Sequence, residues 1–284
     1  MTPPLLQSLF SDPVLLSRIQ AEADFALSEI SDHIDALPAG ARVLEIGCGT
    51  GFLLARLLEL RPDLQLVGLE PIGGGFASFE QTLDRITTAF PSLTIHRIPV
   101  EDFGSSPDVA AFDFVFSLNV FEHLQDWRRA VNRVAALLAP QGQMLVLCPN
   151  YLVPYEPHFG IPTLYSADLA KKVFARRIAQ VEQVTNSAGL WESINFISVP
   201  AFRRHCRAMT LDVTFERGML AKMLDRLGTD PEFAARQAGI AGIARLFRAL
   251  GGIWLSRRLP PDLDPYMKAH VRLRPPEAPD LAVC

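Results

Sequence analysis

Apolar residues recur at three- and four-residue spacing in LLSRIQAEADFALSEISDHIDAL (15–37), which predicts an amphipathic helix ending before Pro38 and Gly40. The pattern then shortens. ARVLEIG (41–47) reads as a strand, GFLLARLLELRP (51–62) as a helix closed by Pro62, and LQLVGLE (64–70) as a second strand. A glycine-rich turn, PIGGG (71–75), leads into a helix within FASFEQTLDRITTAF (76–90) and a third strand within LTIHRIPV (93–100). FDFVFSLN (112–119), the helix WRRAVNRVAALLAP (127–140) and GQMLVLC (142–148) complete the run. Short apolar strands alternating with helices predict an α/β fold whose mainly parallel sheet is covered on both faces.

The rhythm changes after Asn150. YLVPYEPHFGIP (151–162) holds three prolines in twelve residues and cannot be a regular element. A helix over about 167–187, a strand in WESINFISV (191–199), a mostly helical stretch over about 201–255 and a returning strand in YMKAHVRLR (266–274) are expected. The reading is a Rossmann-like, mainly parallel seven-stranded sheet flanked by helices. An N-terminal helical segment covers 1–36, the sheet domain 37–200 and 264–276, and a helical cap is inserted at 201–263 near the C-terminus. A separate C-terminal domain is the alternative, and the late strand argues against it.

At 284 residues and 49% hydrophobic, the chain can bury a full core. Its formal charge of −4 gives no global drive toward nucleic acid. Residues 201–258 hold eleven Lys or Arg against five acids, so that segment is +6 and the remainder −10. The four cysteines, Cys48, Cys148, Cys206 and Cys284, are scattered without a C-x-x-C pair, which fits a reducing, cytoplasmic setting. The N-terminus has no basic region followed by a long apolar run, so no signal peptide is expected, and no eighteen-residue apolar stretch predicts a transmembrane segment.

The chemistry concentrates where the first strand meets Gly47, Gly49 and Gly51. Glycines there permit positive φ and close approach of a ligand in the crevice of a doubly wound sheet. The spacing G-C-G-T-G is not the G-x-G-x-x-G of dinucleotide sites, and Glu45 would repel a pyrophosphate. A nucleoside with a positive or zwitterionic tail suits it better. Glu70, ending the second strand nineteen residues after Gly51, stands where a carboxylate can accept both ribose hydroxyls, with Pro71 beside it. Glu101 and Asp102 follow the third strand, where an adenine amino group could be read.

These segments, VLEIGCGTG (43–51), VGLE (67–70), VEDF (100–103) and FDFVFSLNVFEHLQD (112–126), resemble the class I S-adenosylmethionine-dependent methyltransferase family, in its ubiquinone-biosynthesis-like branch. The resemblance covers about residues 35–150. It implies S-adenosylmethionine as cofactor and S-adenosylhomocysteine as product, Glu45, Gly47, Cys48, Gly49 and Gly51 around the methionine portion, and Glu70 at the ribose. Residues near Glu101 would border the adenine, and Asn119 would lie along the cofactor.

Glu122 and His123 read as a loop-fixing pair, and Cys48 as a small buried filler. No Cys/His cluster has metal-ligand spacing, so no catalytic metal is expected. The substrate side falls on the loop after the fifth strand, with Asn150, Tyr151, Tyr155, Glu156 and His158. His158 is the natural proton acceptor and Tyr155 its companion candidate. The expected reaction is methyl transfer to a small-molecule acceptor, at oxygen because a base candidate exists. The basic insert suggests an anionic acceptor. N-methylation and a catalytically silent S-adenosylmethionine-binding scaffold are the alternatives. The helix stretch GIAGIARLFRALGGIWLSRR (239–258) could cap the acceptor pocket, form a dimer surface or lie on anionic lipid, so monomer and homodimer both stay open.

Overall fold

The computed structural model describes residues 4–10, 12–73, 79–104, 110–236 and 238–275. Gly74 and Gly75 of the glycine-rich turn, the first residues of the stretch after it and Cys284 lie outside these. The strands are β1 (Arg42–Ile46), β2 (Gln65–Leu69), β3 (Thr94–His96), β4 (Phe112–Leu118), β5 (Leu138–Pro149), a hairpin of β6 (Tyr155–Glu156) and β7 (Ile161–Pro162), β8 (Leu211–Phe215) and β9 (Tyr266–Leu273). Seven of them form one sheet in the order β3-β2-β1-β4-β5-β9-β8. Strands β1 to β5 pair in parallel, while β9 runs antiparallel to both β5 and β8. The strand order reverses between β1 and β4, which opens a crevice at their C-terminal ends.

The centre of the sheet is buried on both faces because β1, β2, β4 and the second half of β5 are nearly continuous apolar runs. Leu44, Ile46, Val67 and Leu69 join a core with Phe121, Trp127, Phe159 and Phe202. Val43, Leu66, Phe114 and Phe116 join a second core with Ile30, Phe52, Leu54 and Met223. Helix boundaries follow local capping chemistry. Asp12 accepts from Val14 N–H at the start of the helix Pro13–Ala36, with proline at its first position. Asp126 accepts from the N–H groups of Arg128 and Arg129 at the start of Trp127–Leu137.

Two expectations are corrected. WESINFISV is not a strand: Leu190–Ser193 is a helical turn, and Asn195 and Phe196 bend the chain that follows. Asn195 Nδ2 donates to the carbonyls of Phe121 and Leu124 at 2.7 and 2.9 Å, its own N–H donates to Glu122 O, and Phe196 has φ of 53°. Trp191, Ile194 and Ile197 are buried at three-residue spacing instead of on alternate positions, and the backbone bonds serve a turn instead of a ladder. The missing strand is β8, inside the stretch expected to be helical cap.

That stretch is also not one body. The helix Val199–Ala208 packs Phe202 and Cys206 into the first core, whereas Met219–Thr229 and Pro231–Arg236 send Met219, Met223 and Phe233 into the second. The helices between β8 and β9 are fastened to the N-terminal helix by Lys222 to Glu29 at 2.7 Å and Arg226 to Glu22 at 2.9 Å. Buried Lys268 of β9 also reaches Glu29, at 2.8 Å. They therefore lie on the face opposite the core that holds Tyr151 and Phe159, and do not join His158 in a single lid.

Candidate active site at the carboxyl edge of the sheet

The turn after β1 takes positive φ at Gly47, Gly49 and Gly51 (73°, 54° and 76°). A Cβ on Gly47 would lie 2.4 Å from a Val120 methyl, so this glycine lets the turn close against the segment after β4. Glu70 is buried and holds the same turn: its Oε2 accepts from Gly49 N–H at 2.7 Å and its Oε1 from Ile72 N–H at 3.3 Å. Cys48 sits with its sulfur where a side chain on Gly68 would be, and burial pushes its thiol pKa well up, consistent with a filler. Pro71 is exposed at the end of β2.

Burial, and then the charge of Glu70, pushes the Glu45 carboxyl well above the usual range. Its Oε2 has no hydrogen-bond partner. Glu101 accepts weakly from Asp126 N–H at 3.4 Å through Oε1, and its Oε2 is buried without a partner. Asp102 instead pairs with Arg129 at 2.9 Å on the exposed surface, so of the two acids only Glu101 turns a buried oxygen inward. Asn119 follows β4 with φ of 56° and donates its N–H to Leu147 O at 2.7 Å.

Two residues past Val120 comes the second half of the site. Glu122 is fully buried, neither of its oxygens has a hydrogen-bond partner, and burial pushes its pKa up to about 7. His158 Nε2 stands 4.0 Å from Glu122 Oε1, while His158 Nδ1 donates to Glu156 Oε1 at 2.6 Å. Glu156 is fully buried and further held by Tyr151 O–H (3.1 Å) and Phe159 N–H (2.8 Å). Burial would raise its pKa, but the charge and hydrogen bond of His158 bring it below the usual value. His123 packs edge-on to His158 with ring centroids 5.1 Å apart and contacts Ser193 Oγ through Nδ1 at 2.7 Å. Burial lowers its pKa to about 3, so it is neutral. Tyr155, its pKa raised to about 12 by burial and the Glu156 charge, lies at the start of the same hairpin.

The fold thus ties the glycine turn to Glu70 and closes it against Val120, two residues from the Glu122 carboxyl that faces the His158–Glu156 pair, and leaves Asp102 on the exposed surface. Asn150, a substrate candidate from sequence, is instead structural: its Nδ2 donates to the carbonyls of Asp262 and Asp264, at 3.0 and 2.8 Å, and so pins the end of the helical insert. Sequence reasoning gave Glu122 a loop-fixing role, which its unpartnered oxygens do not bear out. It also passed over Tyr266, opposite Pro149 in the β5–β9 ladder, whose pKa is raised by burial and by Glu156 and Glu122. The ligand atoms of Glu122, His123 and His158 lie within 4.8 Å of one another, a spacing a cation could bridge. No sequence spacing announces that set, because His158 arrives from a hairpin thirty-five residues further on.

A parallel sheet with this order, a glycine turn at the switch point and acids ending β1 and β2 define the architecture of class I methyltransferases. The chain belongs to the methyltransferase domain family, whose model matches residues 17–214. An uncharacterized protein of Mycobacterium tuberculosis is 40% identical over 220 residues, covering 77% of this chain and 73% of its own. A ubiquinone biosynthesis O-methyltransferase of Rhodopseudomonas palustris is 26% identical over 211 residues, 72% of each chain. Among solved structures, a phosphoethanolamine N-methyltransferase of Haemonchus contortus, in complex with phosphomonomethylethanolamine and S-adenosylhomocysteine, superposes with a TM-score of 0.53 at 14% identity. That match covers 87% of this chain and 52% of the other, and shows a shared fold.

Proposed function

We propose that this protein transfers the methyl group of S-adenosylmethionine to a hydroxyl of a small acceptor, with His158 as the proton acceptor. The observation that carries the donor half is a pair of buried carboxylate oxygens without partners, Glu45 Oε2 near the end of β1 and Glu101 Oε2 after β3, together with a glycine turn held by Glu70. A buried acceptor atom left without a donor costs about 1–3 kcal/mol. A ligand with an ammonium group, ribose hydroxyls and an adenine amino group supplies the missing donors. Glu45 suits the ammonium, Glu70 the ribose and Glu101 the adenine edge. The sulfonium of this donor carries its own leaving group, so the protein has to align the partners and exclude water.

On the acceptor side, Glu156 fixes the His158 tautomer that presents Nε2 as a lone pair. The acceptor O–H proton passes to Nε2, and the imidazolium formed lies between the Glu156 and Glu122 carboxylates. The sequence-based idea of an anionic acceptor loses support here. Lys222, Arg226 and Arg203 are paired with Glu29, Glu22 and Asp262, while His158 itself faces Glu122, Glu156 and neutral His123, with Arg177 spent on the Phe159 carbonyl. A neutral hydroxyl compound fits better.

Titration calorimetry with S-adenosylmethionine and with NAD tests the donor. Micromolar binding of the first and none of the second is expected, and the reverse result overturns the reading. Transfer of labelled methyl to a panel of phenols, alcohols and amines then tests the acceptor atom. Labelling of amines alone would replace oxygen by nitrogen.

A further inference from the structure

The helical insert ends in an elbow whose surface is inverted relative to a normal soluble face. The helix Ala238–Ala249 is followed by Gly251 with φ of 82° and then by the helix Gly252–Ser256. The inner side is clamped. Arg248 approaches Asp225 at 3.6 Å and donates to Leu224 O at 3.4 Å, Gly252 and Ser256 are buried, and Phe247 fills the space where a Cβ on Gly252 would stand. The outer side carries Leu246, Leu250, Trp254 and Leu255, exposed at 62, 78, 61 and 49%. Leu246 and Leu250 are one helical turn apart, with Leu250 N–H donating to Leu246 O at 3.1 Å.

Charge says what this apolar surface faces. Between Glu232 and Asp262 the sequence has five arginines and no acid, in a chain of net charge −4. Arg258 lays its guanidinium over the Trp254 ring at 4.0 Å, which puts a cation directly on the exposed indole. Leucines and a tryptophan flanked by exposed Arg257 and Arg258, with Asp225 engaged by Arg248 on the clamped side, is the composition of a helix lying in a lipid headgroup region, where apolar side chains enter the acyl boundary and arginines meet phosphates. No helix among the described residues is long and apolar enough to cross a membrane.

We propose that the elbow formed by residues 246–258 docks the protein on the surface of an anionic lipid membrane. Trp254 is its built-in reporter, because Trp127 and Trp191 are buried. Tryptophan emission is recorded while vesicles of phosphatidylcholine, with or without about 30% phosphatidylglycerol, are added, and bound protein is measured by co-sedimentation. A blue shift with the anionic vesicles, and at least about five-fold more sedimented protein than with phosphatidylcholine alone, is expected. Leu250→Ser/Trp254→Ser should abolish sedimentation while leaving the melting temperature and S-adenosylmethionine binding unchanged. Arg257→Gln/Arg258→Gln should remove the preference for anionic lipid. An unshifted emission with no sedimentation overturns the proposal. So does sedimentation velocity showing a wild-type dimer that Leu250→Ser/Trp254→Ser converts to monomer without any vesicle effect, since a second copy would then be the occupant.

Discussion

His158 donates through Nδ1 to Glu156 Oε1 at 2.6 Å and turns its other nitrogen toward Glu122, 4.0 Å away. An imidazole held this way has Nδ1 committed to Glu156 and Nε2 facing the Glu122 carboxyl. The commitment is firm because Glu156 is buried and fixed by Tyr151 and Phe159.

Replacing His158 by Ala should therefore lower turnover by about 10²–10⁴-fold if it takes the acceptor proton, while donor affinity stays within a factor of two or so, since the donor groups lie on other elements. Glu156→Gln should have a smaller effect of the same kind and move the acidic limb of the pH–rate profile, because it removes the charge that stabilises the imidazolium. A variant pair with unchanged turnover would remove the hairpin from catalysis.

The donor turn makes a different demand. Glu70→Ala deletes the acceptor for Gly49 N–H and the group assigned to the ribose, and should weaken S-adenosylmethionine binding by about 1.5–3 kcal/mol in calorimetry. Gly47→Ala places a methyl group 2.4 Å from Val120 at a positive φ, so it should lower both donor affinity and the melting temperature. Asp102→Ala, paired with Arg129 on the exposed surface, should leave binding unchanged.

The alternation and glycine spacing of residues 41–148 are local properties, and local pattern is enough to read a parallel sheet and its ligand turn. What the pattern could not read is non-local. The stretch containing Asn195 looks like a strand until its side chain and N–H are bonded to the 121–124 turn. The basic residues of the insert look like an anion site until Glu22 and Glu29, some two hundred positions earlier, are seen to pair with them. Glu122 is the sharpest case: as part of FEHL it reads as a loop residue, and only three-dimensional packing strips it of water and partners.

Acid stability should depend on the cluster that ties β9 to the N-terminal helix. Burial works against the Glu216 carboxylate, but hydrogen bonds from His270 and Lys268 and the charges of Lys268 and Lys222 hold its pKa far below the usual carboxylate range. A depressed folded pKa adds stability above the unfolded value that is lost as pH falls below it. Glu216→Gln should thus be less stable than wild type at pH 7, with the gap closing below about pH 4.5. Glu29→Ala, which leaves buried Lys268 and the partly exposed Lys222 with Glu216 as their shared remaining carboxylate, should lower stability in denaturant unfolding at pH 7, by less than the about 3–5 kcal/mol of a buried pair broken outright.

Glu122 should show the opposite sign. Its carboxyl is raised from 4.5 to about 7 by burial, so the folded state holds a proton that the unfolded state has released between those values. Stability from this group is fully present below about pH 4.5 and falls as pH rises toward 7, which means the wild-type protein carries a penalty at neutral and alkaline pH. Glu122→Gln keeps the shape and removes the ionisation. The ligand-free variant should melt a few degrees higher than wild type at pH 8 and no higher at pH 4.5, measured by calorimetric scans at both values. The same variant should lose turnover, because the imidazolium formed at His158 would have lost one of its two flanking carboxylates. Dialysis of the wild type against EDTA should leave both the pH dependence and the rate unchanged. A rate restored only by added cation would instead assign Glu122, His123 and His158 to a metal, and the stability difference at pH 8 would then vanish in its presence.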